Sequence, residues 1–310
     1  MGYFIVADGG GTKTSFCLLS KEKETLYTLE SAGTNPVHIG IASSVERICT
    51  GIRRIIALSG VNNSDIIAAA VFVPVLWRFK DVLAGKFPFE LLCLSDSTAA
   101  LWAGIGTNDG MTALSGTGSF VTGKYEGNEV LVGGWGSVLG DPGSGYSIGL
   151  KAIRHAAEAY DKGIDADAIS ELVMSHFAIN CMDEIKLLQT DRDRINAAAV
   201  AALCPLLAEA AEGGNQQAIS LLENSAEDMS SQLVICANRL HIPVDKAFNI
   251  AITGGAVSNN PAIAAHYIRK IKRDFPKATV FLSKRTPVEG AAEFIINRFI
   301  GRPVGAVAGN

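Results

Sequence analysis

Met111-Thr112-Ala113-Leu114-Ser115-Gly116-Thr117-Gly118-Ser119-Phe120-Val121-Thr122 reads as an apolar strand, a tip of glycine and threonine, and a second apolar strand. The pattern occurs earlier as well. Tyr3 to Ala7 runs into Asp8-Gly9-Gly10-Gly11-Thr12-Lys13-Thr14, and Ser15-Phe16-Cys17-Leu18-Leu19-Ser20 continues as a strand. Each copy is a β-hairpin whose tip is nearly bare backbone. Consecutive N–H groups at such a tip form a concavity for an anion, and Thr12 and Lys13 add a hydroxyl and a charge. An ordinary glycine-rich turn accounts for either tip taken alone. The duplication argues instead for two tips that face each other across a cleft and grip one polyphosphate. Two phosphate motifs are excluded. A Walker A loop requires glycine before its lysine and a helix after it, whereas Thr12 precedes Lys13 and a strand follows. G-x-G-x-x-G fails because Thr14 stands where the last glycine belongs.

Working outward, Ile66 to Val75 is a β-rich apolar run broken at Pro74, and Leu91 to Leu94 is a short strand ending at Ser95-Asp96-Ser97. A helix of small residues follows from Thr98. Open α/β sheets place ligands beyond the carboxyl ends of central strands, where Asp96 stands. By itself the position favours an N-cap for that helix.

Beyond the second hairpin comes Leu131-Val-Gly-Gly-Trp-Gly-Ser-Val-Leu-Gly-Asp-Pro-Gly-Ser-Gly-Tyr-Ser-Ile-Gly149. Glycine at that density gives up backbone entropy, which a chain accepts where it turns sharply or approaches a ligand closely. Ile148, Ala152, Ile153, Ala156 and Tyr160 then recur at helical spacing. Asp141 before Pro142 reads either as an N-cap with proline at the first helical position or as a ligand that the helix holds still. Further on, Ile219, Leu222, Ala226, Met229, Leu233, Cys236 and Leu240 form the buried stripe of an amphipathic helix. Ile250 to Thr253 is a strand that runs into Gly254-Gly255, a third glycine-tipped strand end. Thr279 to Leu282 is a last strand, and Pro287 to Arg298 a closing helix.

The length of 310 residues suggests two domains, and 48% hydrophobic against 19% charged residues implies a filled interior. A net charge of −4 offers no basic surface for nucleic acid or anionic membrane. The amino-terminal run has no basic region and is too short for a signal peptide, and no apolar stretch reaches a membrane span. The cytoplasm is the expected compartment. The six cysteines lie far apart without a C-x-x-C pair, so buried free thiols are expected rather than a disulfide frame or metal site. The five histidines show no ligand spacing.

With both hairpins, Asp96, the glycine-rich loop and Thr253-Gly254-Gly255 in place, the sequence resembles the N-acetylglucosamine kinase and BadF/BadG/BcrA/BcrD ATPase family, within the sugar kinase, Hsp70 and actin superfamily. The match runs in order from Asp8 to about Ala292. The pairing of Leu-Ser-Gly-Thr-Gly-Ser with Gly-Gly-Trp-Gly-x-x-x-Gly-Asp-x-Gly-Ser is the specific part. The resemblance implies an α/β fold of two ribonuclease-H-like, actin-like ATPase domains around a nucleotide cleft. Residues 1–114 with the closing helix 290–310 would form one domain and residues 115–289 the other. It implies ATP and Mg²⁺ as cofactors, with Asp8 near the metal. Gly10, Gly11, Thr12 and Lys13 match the first phosphate loop, and Gly116, Thr117, Gly118 and Ser119 the second. Gly254 and Gly255 match the turn against the adenosine, with Ala201 lining the nucleotide site. Asn35, Asp96, Gly134, Trp135, Gly136 and Asp141 match positions that hold sugar hydroxyls and the acetamido group. Asp96 matches the catalytic base, which reverses the preference for a cap. One departure stands out: Val73-Pro74-Val75-Leu76-Trp77 occupies the place of a glycine-rich turn that helps wall the sugar pocket in relatives.

The resulting expectation is an ATP-dependent kinase acting on the 6-hydroxyl of a small amino sugar, N-acetylglucosamine first, with glucosamine, N-acetylmuramate or a hexose as alternatives. A homodimer is compatible with it. From other classes, a reductase-activating ATPase would need cysteines placed to hold an iron–sulfur cluster, and none lies in a suitable loop. A non-catalytic sugar sensor would need a DNA-binding extension before Asp8.

Overall fold

The computed structural model describes residues 2–191, 194–243 and 246–300. Ten strands are described: β1 Tyr3–Gly9, β2 Lys13–Ser20, β3 Thr25–Ala32, β4 Ile66–Phe72, β5 Glu90–Leu94, β6 Gly110–Ser115, β7 Ser119–Tyr125, β8 Asn128–Gly133, β9 Asn249–Thr253 and β10 Thr279–Leu282. The helices used below are α1 Pro36–Ile39, α2 Ile41–Ser59, α3 Asp96–Gly104, α4 Gly145–Asp161, α5 Ala168–Phe177, α6 Ile185–Leu188, α7 Ala197–Ala201, α8 Leu203–Glu212, α9 Gln216–Arg239, α10 Gly255–Ser258, α11 Pro261–Asp274 and α12 Pro287–Phe299. No helix among the described residues is long and apolar enough to cross a membrane. Residues 301–310 of the expected closing segment lie outside the described residues.

The chain forms two compact units, the described residues of Met1–Asn108 with Arg285–Asn310, and Asp109–Lys284. The strand β6, with its tip, belongs whole to the second unit.

Each unit is built on a mixed five-stranded sheet, ordered β3-β2-β1-β4-β5 in the first and β10-β9-β6-β7-β8 in the second. Reading the second order backwards gives the same plan: an antiparallel meander of three strands, then two strands parallel to its first. The repeated hairpin of the sequence is therefore the start of a repeated sheet. Alternation along β1 explains its layers. Ile5 and Ala7 face a core with Phe16, Leu18, Ile48, Ile52 and Ile55 of β2 and α2. Phe4 and Val6 face the other side, against Ala99 of α3 and Ile295 of α12. A strand buried on both faces must be continuously apolar, as β1 and β4 are. The edge strand β3 instead alternates exposed and half-buried residues.

Packing of α12 on α3 fixes the helix that follows β5. A Cβ on Gly290 would lie 2.3 Å from the Ala99 carbonyl oxygen and 2.4 Å from the Ala103 nitrogen, so only glycine permits this approach. Thr286 and Glu289 close a capping box at the start of α12. In the second unit α4, α8, α9 and α11 cover the sheet around Ile148, Leu207, Met229, Leu233 and Tyr267. The alanine-rich stretch between residues 197 and 212 divides into α7 and α8 at Ala202. All six cysteines are free, Cys93 and Cys181 being only half-buried.

Candidate functional site

In the first unit the parallel strands β1, β4 and β5 bring their carboxyl ends to one edge. Asp8 of β1 pairs with Phe72 of β4, which pairs with Leu94 of β5. Asp96 follows two residues later, at the first position of α3. Its place settles the cap: Ser95 is the N-cap, its hydroxyl accepting from the Ser97 N–H at 3.3 Å, and Asp96 is not. The Ser95 hydroxyl also donates to Asp96 Oδ1 at 3.3 Å. Burial pushes the Asp96 carboxyl up to about 6, against the Ser95 hydroxyl and the Ser97 and Asp96 N–H groups, which favour its ionised form. Burial, then the charge of Asp96, pushes Asp8 up to about 7, while Lys13 pulls it down. Two carboxylates thus sense each other at the edge where such sheets bind ligands.

The hairpin tip beside them is clamped from below. The Gly10 N–H donates to the Lys13 carbonyl at 2.9 Å. The N–H groups of Thr34 and Asn35 both donate to the Gly10 carbonyl, at 3.0 and 3.1 Å, and that of Gly33 to Thr12 at 3.1 Å. A Cβ on Gly33 would lie 2.2 Å from the Gly11 oxygen, so this close approach requires glycine. The N–H groups of Gly11 and Thr12 make no backbone hydrogen bond among the described residues, and a Cβ on Gly10 would meet nothing nearer than 3.8 Å. The tip is a backbone cradle. The Nζ of Lys13 lies 2.5 Å from Glu30 Oε1, and both side chains are exposed. Asn35 caps α1 through Oδ1, accepting from Val37 at 3.0 Å.

In the second unit the β6–β7 tip is tied to the start of α4. The Gly145 N–H donates to the Gly116 carbonyl at 2.8 Å, and the Tyr146 N–H to that of Thr117 at 3.2 Å. Thr117 is exposed and makes no backbone hydrogen bond through its N–H among the described residues. Ala201 lies against the same α4 start, its Cβ 3.5 Å from where a Cβ on Gly145 would stand. Gly254 comes equally close from β9: its φ is +106°, and a Cβ there would lie 2.4 Å from the Ser115 carbonyl oxygen. Gly116 to Ser119, Ala201 and Gly254-Gly255 are therefore brought together within this unit.

The glycine-rich loop carries Trp135 with 75% of its surface exposed, between Gly134 and Gly136, both at positive φ. The N-cap reading of Asp141 is overturned. Helix α4 begins at Gly145 with Ser144 as its cap, the Ser144 hydroxyl accepting from Ser147 at 3.0 Å. Asp141 is 7% exposed, and its Oδ1 accepts from the Gly136 N–H at 3.0 Å. Burial pushes its carboxyl up to about 6, offset by N–H groups of Gly136, Ser119 and Trp135. A Cβ on Gly118 would lie 2.6 Å from its Oδ2. One carboxylate thus pins the second tip to the tryptophan loop.

The profile of the BadF/BadG/BcrA/BcrD ATPase family matches residues 7–294. The chain belongs to this family. Membership carries ATP use with it, in keeping with two cradles of free backbone N–H groups. An N-acetyl-D-glucosamine kinase of Dictyostelium discoideum is 26% identical over 95% of this chain and 98% of its own length. An N-acetylmuramic acid/N-acetylglucosamine kinase of Clostridium acetobutylicum is 22% identical over 94% and 97%. Among solved structures, a provisionally named N-acetylglucosamine kinase of Chromobacterium violaceum superposes with a TM-score of 0.75 at 22% identity, covering 96% of this chain and 99% of that one. That likeness establishes the fold, two units each built on a mixed five-stranded sheet.

For a metal, the described residues hold no cluster of three or more His, Cys, Asp or Glu. One carboxylate, the buried Asp8, suffices for magnesium, which takes one or two carboxylates and fills the rest of its shell with water and phosphate oxygens. Sequence reasoning missed Ser95, Ser144, Gln232 and Tyr267. Serine before a helix is a readable cap signal, and Asp96 and Asp141 drew attention away from it. Gln232 and Tyr267 had no such signal.

Proposed function

We propose that this family member is an ATP-dependent kinase that phosphorylates the 6-hydroxyl of N-acetylglucosamine. The observation that carries the reading is Asp96: a carboxylate beyond the end of β5, partly shielded from water, titrating near 6 and followed by the small residues Ser97, Thr98, Ala99 and Ala100. Such a group is about nine-tenths ionised at pH 7, yet more basic than a free aspartate. It accepts the proton of the acceptor hydroxyl as the oxygen attacks phosphorus. Gly11, Thr12, Thr117 and Gly118 supply N–H groups to phosphate oxygens. Asp8 holds Mg²⁺, which when bound neutralises charge on the phosphates. Phosphoryl transfer asks a protein for little beyond this positioning and charge stabilisation. Asn35, Trp135, Gly134, Gly136 and Asp141 are assigned to the acceptor. The relatives named for N-acetylglucosamine support the choice of sugar. The three curated relatives are all named as kinases of amino sugars, which favours this reading over the reductase-activating alternative.

A coupled ADP-release assay over N-acetylglucosamine, glucosamine, N-acetylmuramate and glucose tests the proposal. The largest kcat/KM is expected for N-acetylglucosamine. An ADP release that no sugar stimulates would refute it.

A further inference from the structure

Two successive carbonyl groups of the turn after Asp141 each receive two side-chain donors. The Pro142 oxygen accepts from Ser119 Oγ at 2.8 Å and Gln232 Nε2 at 2.6 Å. The Gly143 oxygen accepts from Ser115 Oγ at 2.6 Å and from the Tyr267 hydroxyl at 2.7 Å. Ser115 and Ser119 belong to the second tip, whereas Gln232 and Tyr267 come from α9 and α11, far along the chain. Tyr267 is fully buried, and its oxygen is also 2.8 Å from Ser225 Oγ. Gly143 has φ +80°, and a Cβ there would lie 3.0 Å from Met229, so the turn can also shift little toward α9.

A core built for stability alone would not choose these groups. Gln232 is 6% exposed, and its Oε1 is buried with no hydrogen-bond partner. An orphaned buried acceptor is destabilising, and a well-packed apolar residue of similar shape avoids that cost. What the amide does provide is a donor to Pro142, one residue from Asp141. We propose that Gln232 and Tyr267 are positioning residues that, acting through the Pro142 and Gly143 carbonyls, fix where the Asp141 carboxylate stands between the second tip and the tryptophan loop. The consequence for catalysis rests on the reading of Asp141 as an acceptor ligand.

Gln232→Met keeps the length of the side chain and removes the amide, while Tyr267→Phe keeps the ring and removes one donor. Amide hydrogen exchange on the intact protein reads the positioning directly. Exchange at Ser119, Trp135 and Gly136 is expected to quicken by up to about tenfold, the effect of losing one hydrogen bond, with β6 and β9 unchanged. Kinetics read the consequence. The KM for N-acetylglucosamine is expected to rise by a similar factor, with kcat within about twofold and the ATP-induced rise in Tm retained. Gln232→Met should do this without a fall in Tm, which a purely structural role would not allow. Unchanged exchange at those amides in Gln232→Met overturns the inference, even if Tyr267→Phe fails to fold. A lower Tm with an unmoved KM makes the network structural and also overturns it. If the wild-type enzyme phosphorylates no amino sugar, the proposed activity fails. Faster exchange then still upholds the positioning of Asp141.

Discussion

Replacing Asp96 by asparagine separates catalysis from folding, because the two properties are expected to move in opposite directions. Ser95 is the cap, so the start of α3 survives the change. The ionised carboxyl is the costly form in the fold. A pKa of about 6 against the ordinary 3.8 corresponds to a ceiling of about 3 kcal/mol of destabilisation above pH 6. Part of the group reaches solvent, so a gain of roughly 1 to 2 kcal/mol is the realistic expectation for Asp96→Asn at pH 7.5. The neighbour adds to it, because removing the Asp96 charge takes away one cause of the raised Asp8 pKa. The sign with pH follows. The unfolded chain ionises near 3.8 and the folded one near 6, so the folded state binds more protons between them. Wild-type stability from this group is complete below 3.8 and is lost as pH rises through 6. The advantage of Asp96→Asn should therefore grow from pH 4 to pH 6 and then level off.

Activity should fall. Losing a general base costs about a hundred- to ten-thousand-fold, or roughly 3 to 5 kcal/mol of barrier. The assays are thermal melts between pH 4 and 8, ADP release with N-acetylglucosamine, and the rise in Tm with ATP-Mg²⁺, which should persist. In the wild type, kcat/KM should decline below about pH 6 as the carboxyl takes up its proton. A variant that melts higher yet still turns over at the wild-type rate would refute the assignment of the base. One that melts lower would refute the electrostatic reasoning.

ATP-Mg²⁺ is expected to raise the Tm of the wild type by mass action; Thr117→Pro, which removes a tip N–H that makes no backbone hydrogen bond among the described residues, should remove most of that rise. Gly118→Ala puts a Cβ 2.6 Å from Asp141 Oδ2, so it should raise the KM for the sugar at least about tenfold, and an unchanged KM would show that Asp141 does not serve the acceptor. Glu30→Gln breaks an exposed ion pair worth about 0 to 1 kcal/mol, so Tm should barely move; release of Lys13 should lower the KM for ATP about two- to threefold, checked by titrating ATP at saturating sugar.

The paired sheets were legible because glycine-threonine tips between apolar strands are a local signal, written twice in order. Register was not legible, because Phe4, Ile5, Val6 and Ala7 are apolar toward both cores and hold no alternation that a slip by one residue would violate. The helix ends were read less well. Asp96 and Asp141 both have the chemistry of a cap, and local pattern cannot tell whether the preceding or following serine takes that role. Ser95 and Ser144 do so because the backbone is extended there, with ψ of 144° and 165°. Lys13 was assigned to phosphate by its place in the tip. Its pairing with Glu30 arises from β2–β3 register, which no single-strand pattern contains.

Asp141 shows why the buried half of the site stayed hidden. Its local sequence offers cap and ligand as alternatives, and both are roles that a residue plays toward its immediate surroundings. The observed role spans three segments: Ser119 at the tip, Trp135 and Gly136 in the loop, and the turn that Gln232 and Tyr267 grip. On helical periodicity Tyr267 is one more core residue of α11, and Gln232 is a polar residue beside the apolar stripe of α9. Only the tertiary fold brings their donors to neighbouring carbonyls. Residues that touch a ligand carry side chains whose chemistry can be read in isolation, whereas residues that hold those in place are selected by distance. The second kind becomes visible when a buried polar atom, such as Gln232 Oε1, is tolerated without a partner.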